Sequence, residues 1–330
     1  RLKDNLTPGS VQTARSTEPC VFGRMAAGRL ELLALCFVGL AVSGRAFFLQ
    51  VEGLPPGDVG PQVDPSLRDV FPIEWVHVPK TGSSFLQTLL HIPGVCPGLP
   101  SNSDALNSFI ASFTIDPSWQ CNASAVDLAY GRVEHAGIES LPKGGFAAGK
   151  GRFMMMMRQP EQRLLSHYYH YDTTPLGWAY VGGFGIVGWD DFVASVSGCV
   201  TKMLTRAAPR EACLSSTLPP TSAEVEEAKV RLRTGFAFVG LTEEWGLSMC
   251  LFNAMFSQPC RSYQFANMRA TFGGERSLYN TSRLQGYRDP YDSDLYDIGR
   301  GIFEASLKKY KVTESSCTAC LREAGALANS

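Results

Sequence analysis

Five consecutive residues, Lys80-Thr81-Gly82-Ser83-Ser84, set an ammonium, three hydroxyls and a glycine side by side. The flanking residues turn that group into an anion site. Residues 71–78 (FPIEWVHV) are rich in β-branched and aromatic types and predict a buried strand. Pro79 ends it, because proline has no N–H to give a sheet ladder. Ser83 and Ser84 suit a helix start, and Phe85, Leu86, Leu89 and Leu90 fall on one face at helical spacing. A strand feeding a tight turn at a helix N-terminus aims several N–H groups at one point, and Lys80 adds a full positive charge. Gly82 permits the backbone that such a turn needs. The order of residues excludes an ordinary ATP or GTP loop. That loop requires Gly-x-x-x-x-Gly-Lys-Ser/Thr, whereas here the lysine precedes the glycine and the first glycine is missing.

A second anion binder follows the run Phe153-Met154-Met155-Met156-Met157-Arg158. Four methionines raise the idea of a soft metal site. Bounded by turn signals, they read better as a buried parallel strand filled by an adaptable apolar side chain. Arg158 ends that strand, and an arginine makes forked contacts to phosphate oxygens. Pro160 then opens a helix through Tyr171, with Ser166 two turns in. Lys80 and Arg158 each come just after a strand. Both therefore fall on the rim at the carboxyl ends of the sheet, where open α/β sheets bind ligands.

Five histidines are candidates to move a proton at neutral pH. His77 belongs to the first strand and reads as structural. His91 ends a helix, where a cation is favoured in any case. His167 and His170 share a face of the Ser166 helix and could line the cleft. His135 has Glu134 beside it as a rival base, and the residues alone leave the choice among these groups open. No set of residues with metal-ligand spacing appears.

The elements that must position these groups alternate strand and helix. Thr221-x-x-Glu224 is a capping box opening a helix to Gly235, braced by Glu227 and Arg231 four residues apart. Phe236–Gly240 reads as another buried strand, Thr242-Glu243-Glu244 as the start of a helix through Met255, and 294–310 as a final helix. Residues 172–190 read as a long Gly- and aromatic-rich loop near the cleft, with Asp190 capping a short helix at 191–197. Residues 199–220 read as irregular, and a helix is expected around Asp104–Ser112. Alternation of this kind predicts an α/β fold with a mainly parallel central sheet flanked by helices.

With the motifs in place, a family comes into view. HVPKTGSSF resembles the 5′-phosphosulfate loop of sulfotransferases that use 3′-phosphoadenosine 5′-phosphosulfate (PAPS). MMMMRQPEQRLLSHYYH resembles that family's 3′-phosphate segment, Arg-x-Pro-x-x-Arg-x-x-Ser-x-Tyr, in which the arginine and serine, here Arg158 and Ser166, hold the 3′-phosphate. FAFVGLTEEWGLSMCLF and DSDLYDIGRGIFE look like carboxyl-half segments of Golgi-type carbohydrate sulfotransferases of the heparan sulfate 2-O- and galactose 3-O- branch. The resemblance covers residues 71–311 in patches. It implies a P-loop-like three-layer fold, PAPS as donor bound by Lys80, Thr81, Gly82, Ser83, Ser84, Arg158 and Ser166, a glycan or proteoglycan hydroxyl as acceptor, and no metal. Lys80 and His135 are then the catalytic pair. GRVEHAG departs from the family's Gly-His motif, because Arg132 follows Gly131 and displaces the histidine. That departure keeps a non-catalytic nucleotide- or glycan-binding relative as a rival; a P-loop kinase is a weaker rival because of the loop order.

Length, charge and cysteines bound the setting. The chain has 330 residues, with 30 Lys+Arg against 31 Asp+Glu, so no strong field for nucleic acid is implied. Residues 1–49 read as a leader with a signal peptide or signal anchor built on the apolar run Leu32–Ser43, which implies a membrane association through the N-terminal segment. Residues 50–70 read as a Pro/Gly-rich stem, 71–311 as the sulfotransferase domain and 312–330 as a cysteine-containing tail. Ten cysteines fit an oxidising lumen, and the family implies a Golgi membrane with a luminal catalytic domain, or a secreted or luminal soluble form after signal cleavage. Eight cysteines follow the targeting segment. The local pairs Cys96–Cys121, Cys199–Cys213 and Cys250–Cys260 are the simplest to draw, although connectivity cannot be read from sequence. The single Cys317-x-x-Cys320 argues for neither zinc nor redox function. Asn122 and Asn280 stand in glycosylation sequons.

Overall fold

The computed structural model describes residues 72–100, 116–121, 126–127, 135–141, 144–173, 177–208, 211–265 and 278–326. The expected leader, signal segment and stem, the helix around Asp104–Ser112, Glu134 and the Asn122 sequon lie outside them. Four parallel strands form one sheet in the order β2-β1-β3-β4, with β1 at Ile73–Trp75, β2 at Val126–Asp127, β3 at Phe153–Met157 and β4 at Phe236–Leu241. The methionine run is β3, paired on both sides and buried at every position, as a continuous apolar strand in a parallel sheet should be. The first strand is shorter than its composition predicts. The strand ends at Trp75, although Val76 N still donates to Met154 O at 2.9 Å, and Val76–Val78 stay buried while Val78 N turns back onto Val76 O.

The helices explain how the ends of these strands are held. Helix α1 (Phe85–Leu90) follows the Lys80 loop and is wholly buried. A five-residue helix, α2 (Gly145–Gly149), precedes β3. Helix α3 (Pro160–Thr173) starts at the proline, as expected. The stretch expected to be a loop instead carries α4 (Gly177–Gly182), and α5 runs over Gly188–Val196. Its glycines hide the helix from propensity, but Val181 and Phe192 are fully buried with Tyr168, Tyr171 and Ile186 in a second apolar cluster, which overrides it. The cap of α5 is not Asp190. Asp191 Oδ2 accepts from the Val187 N–H, 3.1 Å. Residues 199–220 are also partly helical, as α6 (Cys199–Thr205) and α7 (Ala212–Ser215).

The capping box of α8 (Ser222–Gly235) forms as its sequence predicts, with Thr221 Oγ1 accepting from Glu224 N and Glu224 accepting from Thr221 N. The remaining helices are α9 (Trp245–Phe256), α10 (Ser262–Phe265), α11 (Ser293–Lys309) and α12 (Glu314–Glu323). The main core joins β1, β3 and β4 to α1 and α9 through an aromatic stack in which Phe85 meets Phe238 face on and Phe252 edge on. Truncating one such ring to alanine costs about 3–5 kcal/mol.

Four disulfides are present. Cys96–Cys121 and Cys199–Cys213 are the expected local pairs, but Cys250 bonds Cys317 and Cys260 bonds Cys320. The Cys250–Cys260 expectation fails because α12 packs against α9 and brings both tail cysteines into reach. The CxxC is thereby a double staple. No helix among the described residues is long and apolar enough to cross a membrane.

The strand order has one consequence for function. From β1 the chain goes to β2 on one side, then crosses back to β3 on the other. The loops leaving β1 and β3 therefore diverge, and the crevice between their carboxyl ends is the switch point where open α/β sheets bind ligands.

Candidate functional site

Lys80 and Arg158 meet at that crevice. Arg158 Nη1 donates to the Lys80 carbonyl, 3.3 Å, across the gap between the two loops. Thr242, at the end of β4, closes the third side: its hydroxyl lies 2.7 Å from the Thr81 carbonyl and 3.0 Å from the Met157 carbonyl, and its N–H donates to Met157 O. Three strand ends are thus tied to one loop.

The loop itself is built for close approach. Lys80 has φ +66° and Gly82 φ +101°, both left-handed. A Cβ at Gly82 would lie 2.5 Å from the Trp245 ring, so both its φ and its packing require glycine. Trp245 is fixed by its indole N–H, which donates to Gln264 O at 2.7 Å. Backbone amides of Phe85, Leu86 and Gln87 turn back onto Gly82, Ser83 and Ser84 carbonyls. The N–H groups of Gly82, Ser83 and Ser84 make no hydrogen bond among the described residues. Three successive amides without a partner among the described residues, beside a lysine, are the groups from which anion-binding turns are made.

The three hydroxyls part company. Thr81 is buried and donates to Val78 O, 2.9 Å, so it braces the turn and is not a spare donor. Ser83 Oγ lies 2.9 Å from His77 Nε2. Ser84 occupies the cap position of α1 without a side-chain cap bond.

Arg158 is mostly buried, and that burial lowers its pKa against the pull of Glu243 and Tyr279; an arginine remains charged at neutral pH regardless. Glu243 also accepts from Gln159 N at 2.9 Å. The Tyr279 ring lies 5.4 Å from the Arg158 guanidinium carbon. Helix α3 puts it there, because Gln162 clasps the Tyr279 backbone through both its amide groups, 2.6 and 3.0 Å. Ser166 sits buried two turns along the same helix. Arg163, between them, is wholly buried and has a different task. It donates to Val196 O and pairs with Asp292 at 3.6 Å and Asp289 at 4.0 Å.

The histidines separate by burial. His167 is 1% exposed. Burial, followed by the charges of Arg163, His135, Lys80 and His170, holds its pKa well below the usual value. It is neutral and sealed, so it cannot meet a substrate hydroxyl. His91 stacks on Tyr263 and lies 2.7 Å from Gln87 O, and burial lowers its pKa too. The cation expected at that helix end is therefore disfavoured. His170 is half-buried beside Tyr171. His135 is half-buried, with its ring 4.6 Å from that of His77, the residue bonded to Ser83 of the loop. His77 thus links the loop to His135, a contact its place in a strand did not suggest. His135 Nδ1 lies 2.9 Å from Glu211 Oε1, and the Tyr180 side chain also stabilises the ionised Glu211 carboxylate.

Sequence reasoning passed over Thr242 as a loop staple, Trp245 as the cover of Gly82, Glu243 and Tyr279 as partners of Arg158, and Glu211. Only Thr242-Glu243 carried a signal, since a capping residue just after a strand end stands on the same rim as Lys80. Among the described residues no group of three or more His, Cys, Asp or Glu side chains is arranged to hold a metal ion. Compared with protein-family models, curated proteins and solved structures, the chain has no match.

Proposed function

We propose that the chain is a PAPS-dependent sulfotransferase acting on a glycan hydroxyl, with a P-loop-like arrangement of its sheet and first loop. The observation that carries this reading is the pairing of two phosphate-binding devices at one switch point, the Lys80 loop with its unpartnered amides and Arg158 bonded across to it. A donor phosphorylated at both 5′ and 3′ ends requires two such devices at a fixed separation.

In this reading the 5′-phosphosulfate lies on the amides of Gly82, Ser83 and Ser84 with Lys80 beside it, and Arg158 takes the 3′-phosphate, joined by Ser166 once the donor uncovers its buried hydroxyl. The acceptor oxygen forms a bond to sulfur in line as the bond from sulfur to the 5′-phosphate oxygen breaks. The electron pair leaves on that phosphate, and Lys80 stabilises the charge as it grows. The acceptor's proton passes to His135. His135 keeps 22% of its side chain exposed and suits that role, whereas His167 is sealed. A luminal, membrane-associated Golgi location belongs to the same proposal; four disulfides fit an oxidising compartment.

The test is transfer of radiolabelled sulfate from PAPS to a panel of glycans by the wild type and by Lys80→Ala. Transfer that survives Lys80→Ala undiminished overturns the mechanism. Binding of 3′-phosphoadenosine 5′-phosphate with no transfer to any acceptor replaces the enzyme by a binding relative.

A further inference from the structure

We infer that Glu211 is the positioning residue of the proposed reaction: its carboxylate fixes the tautomer and direction of His135. This rests on the sulfotransferase reading for its purpose, but its geometry stands apart from it. Six described non-glycine residues have left-handed backbone: Lys80, Gln120, Glu211, Ser257, Gln285 and Lys311. Gln120 and Gln285 close the short 3-10 turns Pro117–Trp119 and Thr281–Leu284, Ser257 closes α9, and Lys311 directly follows the residue that closes α11. There the conformation is an ordinary way to stop a helix. Lys80 stands at no helix end, and Glu211 precedes α7, where the cap residue is ordinarily extended and caps with its side chain; Glu211 is left-handed and its side chain makes no cap bond. Strained backbone of this kind marks a side chain held where it would not otherwise sit.

Glu211 is held from three directions. The Ala212 N–H donates to the His135 carbonyl, 2.8 Å, so the two residues are clamped by their backbones as well as by their side chains. The Tyr180 side chain of α4 stabilises the ionised carboxylate, whose Oε2 is buried. The His135 ring supplies the third contact, Nδ1 to Oε1 at 2.9 Å with both side chains mostly buried. Burial opposes ionisation of Glu211, but His135, Tyr180 and the charge of His170 outweigh it and keep the carboxyl below its usual range. An ionised carboxylate only accepts, so the Nδ1 that faces it must carry the proton. A neutral His135 then has its lone pair on Nε2, the form a general base needs. When Nε2 takes the acceptor's proton as the oxygen–sulfur bond forms, the imidazolium is produced against a carboxylate already in place. The other titratable groups around this pair are His77, His167, His170, Tyr171 and Tyr180.

Two variants separate positioning from structure. Glu211→Gln keeps shape and an acceptor oxygen but removes the charge. Glu211→Gly removes the side chain and relieves the left-handed backbone, so the chain still folds. Nitrogen-15 NMR of histidine-labelled protein reads the His135 tautomer without any substrate. The wild type should show the Nδ1–H form, and Glu211→Gly a mixture or the Nε2–H form. In transfer assays kcat should fall by about 10-fold in Glu211→Gln and about 100-fold in Glu211→Gly, with the KM for PAPS unchanged. An unchanged tautomer in Glu211→Gly overturns the inference, as does a kcat equal to that of the wild type. A shifted tautomer in a protein that sulfates no acceptor sustains the positioning and fails only the sulfotransferase reading.

Discussion

Two clusters of charge lie along helix α3 and its surroundings, and they are built to opposite ends. In the first, Arg163, Lys202, Asp289 and Asp292 are each no more than 1% exposed. Asp292 accepts from Val200 N, Thr201 N and Thr201 Oγ1, Asp289 from Gly198 N, Tyr291 N and Asp292 N, and Lys202 donates to Ser195 O at 2.6 Å. In the second, Lys80, Arg158, His135 and Glu211 stand at the switch point, half-buried, beside three amides without a partner among the described residues and with two left-handed backbones. Similar residue types make an anchor in one place and a site in the other. The difference is exposure. The first cluster is closed to solvent, with Arg163 Nε and Nη1 buried and without a hydrogen-bond partner among the described residues, and the second stays half-buried, where something that arrives can reach it. Motif spacing cannot tell the two apart, since Arg158 and Arg163 belong to the same motif.

Substitution should separate them. The largest effect is expected for Arg163→Ala, which leaves two buried carboxylates short of a cation and should cost about 3–5 kcal/mol in denaturant unfolding. Arg163→Met should lose far less, because apolar replacement of a buried cation avoids its desolvation. Next, Lys80→Ala should leave the unfolding midpoint in place and lower kcat for sulfuryl transfer by about 10²–10³-fold. If Lys80→Ala instead unfolds the chain, the open cluster is an anchor too and the contrast collapses. Gly82→Ala lies between the classes. Its φ of +101° and the Trp245 ring 2.5 Å from the added carbon should cost about 2 kcal/mol in stability and abolish nucleotide binding, read by calorimetry.

The smallest effect is one of pH. Burial, with the Arg206 charge as the next cause, pulls the Lys202 pKa from 10.5 to about 8. The folded state then holds this proton less tightly than the unfolded one, so stability from this group rises between pH 8 and 10.5. Asp292 runs the other way in the acid range. Burial and Asp289 push it from 3.8 to about 6, so it favours the fold most below pH 3.8 and loses that contribution as pH rises through 6. Lys202→Met should flatten the alkaline rise in a urea series without touching transfer. A rise that persists in Lys202→Met assigns it to another group.

Periodic and bounded features were legible from sequence: the methionine strand, the α8 capping box, the proline at α3 and the Lys80 turn. Each is a local pattern whose physics is complete within about ten residues. What escaped depends on partners far along the chain. Helix α4 is held by a buried Val181 against α3 aromatics, not by its own glycine-rich propensity. The tail disulfides follow from α12 packing on α9. Glu211 follows Pro209 and Arg210 with no period or motif to flag it, and it matters only because the chain folds it onto His135, 76 residues away. Arg158 was legible as the residue that ends the methionine strand, but Tyr279 and Glu243 beside it were not.

The central claim is that Lys80 and Arg158 form two phosphate devices on one crevice, each for its own end of the same nucleotide. Calorimetric titration of 3′-phosphoadenosine 5′-phosphate and of adenosine 5′-phosphate, into the wild type and Arg158→Ala, tests it most directly. The account predicts that the wild type prefers the 3′-phosphorylated nucleotide by about 10–100-fold, the worth of one charge-assisted contact, and that Arg158→Ala loses this preference while still binding the 5′ end. Equal affinity of the wild type for both nucleotides, or a preference that survives Arg158→Ala, would contradict it.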